Sequence, residues 1–121
     1  MEEIGIDAQL VEEIRKGNKY IEAALGTPEF LKIREDDVVA VREDLYIDGQ
    51  IVDSIPDALR IKVTEILYFE TFAEALNATD HQGLIPSAKT VDDALALYRE
   101  RYTEADEDEY GVVVMYFEIT A

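Results

Sequence analysis

Near the end of the chain ten residues, Tyr110-Gly111-Val112-Val113-Val114-Met115-Tyr116-Phe117-Glu118-Ile119, run almost without polar interruption. A strand with one wet face alternates apolar and polar residues; a run like this marks a strand buried on most of both faces. Other strands are readable upstream. Val38 to Arg42 is rich in β-branched residues, and Leu59, Ile61 and Val63 alternate with Arg60, Lys62 and Thr64 on the way to Tyr68. Ile21, Ala23 and Leu25 share one face of a further strand, with Tyr20, Glu22 and Ala24 on the other. Asp48-Gly49 marks a hairpin tip, and Pro56 is expected to break pairing.

Helices are punctuated by their caps. Asp7 can cap a short amphipathic helix whose Leu10, Val11 and Ile14 fall at helical spacing before Arg15-Lys16 and Gly17 close it. Thr27-Pro28-Glu29 begins a single turn. Thr71-Phe72-Ala73-Glu74 fits a capping box and starts a helix through Ala78. Thr90, with Asp93 three residues on, opens a longer helix with Val91, Ala94, Leu95, Tyr98 and Tyr102 on one face, the tyrosines reading as core fillers. Thr79 to Lys89 reads as an ordered loop, and the acidic stretch Glu104 to Glu109 as solvated and mobile. This order suggests an α+β fold, a mixed or antiparallel sheet curled into a small β-barrel with flanking helices, and the length of 121 residues suits a single domain.

The formal net charge of −17 argues against a general nucleic-acid binder, and no DNA duplex is expected as partner, because phosphate binding needs clustered Lys and Arg. Cysteine is absent, which excludes thiolate metal sites and cysteine nucleophiles. His81 is the single histidine and has no Cys, Asp or Glu at ligand spacing, so no metal and no cofactor is expected. The apolar runs fall short of the roughly 18 residues of a membrane span, and Met1-Glu2-Glu3 is acidic where a leader needs basic residues. A cytoplasmic location is expected.

The stretch Gly17 to Leu25 carries the chemistry worth testing. A helix stops at Gly17 and hands over to a strand, with Lys19 and Glu22 at the junction. Locally these residues also read as a C-cap, a solvated charge and the polar side of a strand. If they converge, Lys19 and Glu22 shift each other's ionisation, and a desolvated lysine can act as base or nucleophile.

Gly17, Lys19 and Glu22 match the G-x-K-x-x-E-x-R hallmark of the ASCH (ASC-1 homology) family, which the chain resembles from about residue 8 to 119; Ala24 stands at the arginine position. Asp36 to Val41 is similar to the family's turn into its second strand, Tyr68 to Leu76 to its strand-to-helix step, and Tyr110-Gly111-Val112 to the opening of its last strand. The resemblance implies a PUA-like barrel with a pocket facing RNA, a nucleotide or a modified nucleoside. Gly17, Lys19 and Glu22 would form it, Lys19 holding a phosphate or polarising a carbonyl and Glu22 accepting from a base edge or handling a proton. It also leaves open a small hydrolase, amidohydrolase or ribonuclease, with Lys19 and Glu22 as catalytic candidates, and a protein-interaction adaptor with a decayed pocket. The branch that hydrolyses acetylated cytidine has threonine where Glu22 stands, so that chemistry is not implied. Losing the arginine removes a planar, permanently charged fork for anions. Arg42, Arg60 and Lys62 are the candidates to replace it.

Overall fold

A computed structural model describes residues 1–120. Its elements run β1 (Glu3–Asp7), α1 (Ala8–Arg15), β2 (Ile21–Leu25), α2 (Pro28–Leu31), β3 (Val38–Ile47), β4 (Gln50–Phe69), α3 (Phe72–Ala78), α4 (His81–Leu84), α5 (Val91–Arg99), α6 (Glu104–Tyr110) and β5 (Val112–Ile119). The strands form one mixed sheet in the order β1-β3-β4-β5-β2. β1 runs parallel to β3, and the remaining neighbours are antiparallel.

β5 is buried on both faces, as its composition requires. Val113, Met115 and Phe117 point into one core with Ile4, Ile6, Val11 and Ile14, while Val112 and Val114 enter a second beneath α3 and α5. The first core also dictates the shape of the sheet. Laid flat, β1 and β2 would stand about 19 Å apart, four strand spacings of about 4.8 Å. Yet Ile6 of β1 and Ala24 of β2 belong to the same buried cluster, so the sheet curls around it.

Curling stops short of closure, and this corrects the expected barrel. β1 and β2 remain the two edges, with no ladder between them. The reason is local: β1 has five residues and passes at Asp7 directly into α1, whose Val11 and Ile14 fill the core. The seam between the two edges is left open.

Several local expectations need revision. β1 was not foreseen, although Ile4 and Ile6 alternate with Glu3 and Gly5. Pro56 does not end its strand; pairing jumps from Glu43↔Ile55 to Val41↔Leu59, so the proline sits in an irregularity and β4 continues to Phe69. The loop from Thr79 contains one helical turn, α4. The acidic stretch is helical rather than loose. Thr103 and Asp106 make a reciprocal capping box, early acids suit the helix dipole, and buried Glu107 accepts from Phe72 N at 2.6 Å and pairs with Arg99 at 2.7 Å. The hairpin tip is as expected: Asp48 and Gly49 both adopt positive φ between β3 and β4, as a type I′ turn demands. No helix among the described residues is long and apolar enough to cross a membrane.

Candidate functional site

Gly17 ends α1 with φ +81°, a left-handed conformation that costs other residues steric strain. Its N–H donates to Ile14 O at 3.0 Å and that of Asn18 to Glu13 O at 3.0 Å, the paired bonds of a Schellman motif. Gly17 is exposed and lines none of the cavities described below. Its place is to turn the chain so that Lys19 enters the interior.

Lys19 is 1% exposed. Nζ donates to Ile21 O at 2.6 Å, Leu84 O at 2.7 Å and Glu22 Oε1 at 3.3 Å. An ammonium has three donors, and each has an acceptor. Burial lowers the lysine's pKa from its usual value, while the Glu22 carboxylate, by charge and hydrogen bond, works against that shift. The side chain ties β2 to the end of α4 and fixes the glutamate.

Glu22 occupies the free edge of β2. Oε1 accepts from Lys19 and also from Ala23 N at 3.1 Å. Its side chain is 14% exposed, and it faces a cavity of about 300 Å³. The cavity follows the open seam: Glu22 and Ala24 lie on one side, Asp7 of β1 on another, and Tyr98, Arg101 and Tyr102 close it from the end of α5. Tyr98 and Tyr102 both stack on Phe72, with centroids at 4.6 and 5.2 Å. Burial, with the charge of Glu22 next, raises the pKa of both tyrosines, Tyr98 most. The Tyr98 hydroxyl is buried without a partner among the described residues. A neighbouring cleft of about 450 Å³ is larger, but it is lined by Glu13 and Asp80, has no basic side chain, and contains neither Lys19 nor Glu22. Chemistry favours the smaller cavity over the larger.

The predicted replacements for the missing arginine are committed elsewhere. Arg42 clasps Asp44 through two bonds of 2.7 and 3.0 Å, Arg60 clasps Asp57 at 3.1 and 3.0 Å, and Lys62 lies 3.9 Å from Asp36. None of them lines the cavity. Arg101 does. It follows α5 in a turn, with its N–H donating to Tyr98 O at 3.1 Å, and its guanidinium lies 4.2 Å over the Tyr46 ring.

Comparison with solved structures sets this arrangement in context. The hypothetical protein PH0355 is similar over 98% of this chain and 97% of its own, at 26% identity and a TM-score of 0.82. Protein PF0455 from Pyrococcus furiosus matches over 97% of this chain and 94% of its own, at 26% identity and 0.71. The ASCH domain from Lactobacillus crispatus JV V101 matches over 89% of this chain and 68% of its own, at 15% identity and 0.52. The chain has an ASCH-type, PUA-like fold. No family model matches the sequence, and no curated protein matches it.

Within this ASCH-type fold the three hallmark positions separate by role. Gly17 shapes the turn, Lys19 is internal, and Glu22 reaches the cavity. The helical spacing of Tyr98 and Tyr102 was visible in the sequence, but no pattern indicated that α5 would bring them and Arg101 opposite Ala24. Among the described residues no group of three His, Cys, Asp or Glu side chains is arranged to hold a metal ion.

Proposed function

We propose that the chain is a binding module for a nucleoside or nucleotide-like ligand, taken up at the seam between β1 and β2. One observation carries this reading: Glu22 presents a carboxylate fixed at Oε1 by Lys19 and Ala23 N to a cavity walled by Tyr98 and Tyr102. A pre-oriented acceptor beside aromatic surface suits the amino or imino edge of a base, with the ring against tyrosine. The volume of about 300 Å³ lies at the lower limit for small-molecule sites and favours one nucleoside unit over a long strand. The net charge of −17 points the same way, since it repels polyanions, leaving RNA to enter only by a single base. Catalysis through Lys19 has less support because all three of its donors are engaged.

Calorimetric titration with the four ribonucleosides, their 5′-monophosphates and a short single-stranded RNA tests the proposal. Binding of at least one is expected at low salt, weakened about tenfold in Glu22→Gln by loss of a charge-assisted hydrogen bond. Absence of binding throughout, or equal binding by the variant, overturns it.

A further inference from the structure

We propose that Arg101 is the anion-recognising group of this cavity, and that a ligand bearing a single phosphate takes it over from Asp7. The inference rests on the nucleotide-like reading above and narrows it to nucleoside monophosphates.

The first support is a contrast among arginines. Arg42 and Arg60 each grip a carboxylate through two hydrogen bonds. Among the described residues Arg101 donates from its side chain once, from Nη2 to Asp7 Oδ2 at 3.4 Å, a long bond with the arginine side chain 46% exposed. Four of the five donors of a guanidinium then remain for another acceptor. The Tyr46 ring lies 4.2 Å from the guanidinium carbon and attracts the cation without using any donor.

Position supplies the second support. Arg101 lines the same cavity as Glu22 and Ala24, so a fork absent from β2 is offered from across the seam. The carboxylate on Arg101 is also one that can be released. Asp7 Oδ1 caps α1 by accepting from Gln9 N at 2.9 Å, and that bond holds Asp7 in place whether or not Oδ2 keeps the arginine. Phosphate offers a planar fork two oxygens and more charge than a carboxylate, which strengthens its hold on Arg101 against the repulsion of the Asp7 carboxylate left nearby, provided the rest of the ligand is anchored.

Charge sets the limit on the ligand. One guanidinium answers one phosphate. Further phosphates on a triphosphate or a strand would meet a protein of net charge −17 without a second cation, since neither Arg42, Arg60 nor Lys62 lines the cavity.

The test compares, within each protein, the affinity for a ribonucleoside with that for its 5′-monophosphate and 5′-triphosphate. In the wild type the monophosphate should bind about tenfold tighter than the nucleoside, the gain shrinking as salt rises, and the triphosphate should add nothing further. Arg101→Gln should bring the monophosphate-to-nucleoside ratio close to one, with Arg101→Lys intermediate. Asp7→Asn, which keeps a capping side chain, should raise the ratio. Glu22→Gln should weaken both ligands and preserve it. Equal affinities in the wild type, or a ratio that survives Arg101→Gln, overturn the role of Arg101 while leaving the nucleoside pocket standing. Failure of nucleoside and monophosphate alike removes both.

Discussion

Lys19 Nζ lies 3.3 Å from Glu22 Oε1, and the cation of this pair is the member withdrawn from solvent, with a side-chain exposure of 0% against 14%. Burying an ammonium is costly unless its donors are all met, and here Ile21 O and Leu84 O meet the other two. The pair therefore faces the cavity through its carboxylate. In the proposed function Lys19 positions the carboxylate, and Glu22 is the residue that meets the ligand.

Replacing Lys19 by methionine should consequently act on stability before it acts on binding. Lys19→Met strands two carbonyls and an internal carboxylate and should cost about 3 kcal/mol in urea unfolding. Glu22→Gln keeps an oxygen acceptor for Lys19 and Ala23 and should cost less than half of that. Equal stabilities for wild type and Lys19→Met would place the lysine in solvent and refute the geometry.

The tyrosines report on the same carboxylate. Tyr98 and Tyr102 are held above the usual phenol value of 10.0 by burial first and Glu22 second. A neutral phenol favoured by the fold stabilises it fully below pH about 10, and this contribution fades as pH climbs through the raised folded values. Phenolate absorbance should show four of the seven tyrosines, Tyr20, Tyr98, Tyr102 and Tyr116, ionising late, and Tyr98 and Tyr102 alone ionising earlier in Glu22→Gln because one neighbouring negative charge is gone. Superimposable titrations of wild type and variant would separate Glu22 from the aromatic wall.

Gly17→Ala tests the first hallmark position. At φ +81° the substitution should cost about 1 kcal/mol through backbone strain alone, since an added Cβ meets nothing within 4 Å. Thermal unfolding should shift down, with ligand affinity per folded molecule unaltered. Retained stability with lost affinity would make Gly17 a ligand contact instead.

Glu107 gives a test away from the cavity. It joins α6 to Arg99 of α5 and to the first N–H of α3, so Glu107→Ala should destabilise by about 2 kcal/mol, whereas exposed Asp108→Ala should change little. Equal effects in chemical denaturation would return the acidic stretch to the solvated loop its composition suggested.

That stretch shows what sequence reading reaches. Local signals were decisive where the physics is local: the apolar run of β5, the Thr71, Thr90 and Asp7 caps, and the Asp48-Gly49 turn all act within a few residues. Thr103 and Asp106 formed an equally local cap, but the mass of acid around them pointed to solvent, and only Arg99 and Phe72, distant in sequence, explain why Glu107 is buried. The open seam was hidden for the same reason, because closure depends on whether β1 and β2 meet after the whole sheet has curled. At the site, Gly17, Lys19 and Glu22 were legible as a motif. Their division into turn, internal brace and cavity wall depended on Leu84 and α5, and Arg101 had no local signature at all.

The most direct measurement is an amide chemical-shift titration of the wild-type protein with a ribonucleoside monophosphate at low salt. Shifts should concentrate at Glu22, Ala23, Ala24, Tyr98, Arg101 and Tyr102, and the amides of Asp48 and Gly49 at the hairpin tip should stay still. Absence of shifts at millimolar ligand, or shifts centred outside the seam, would contradict the assignment of this cavity as a nucleotide site.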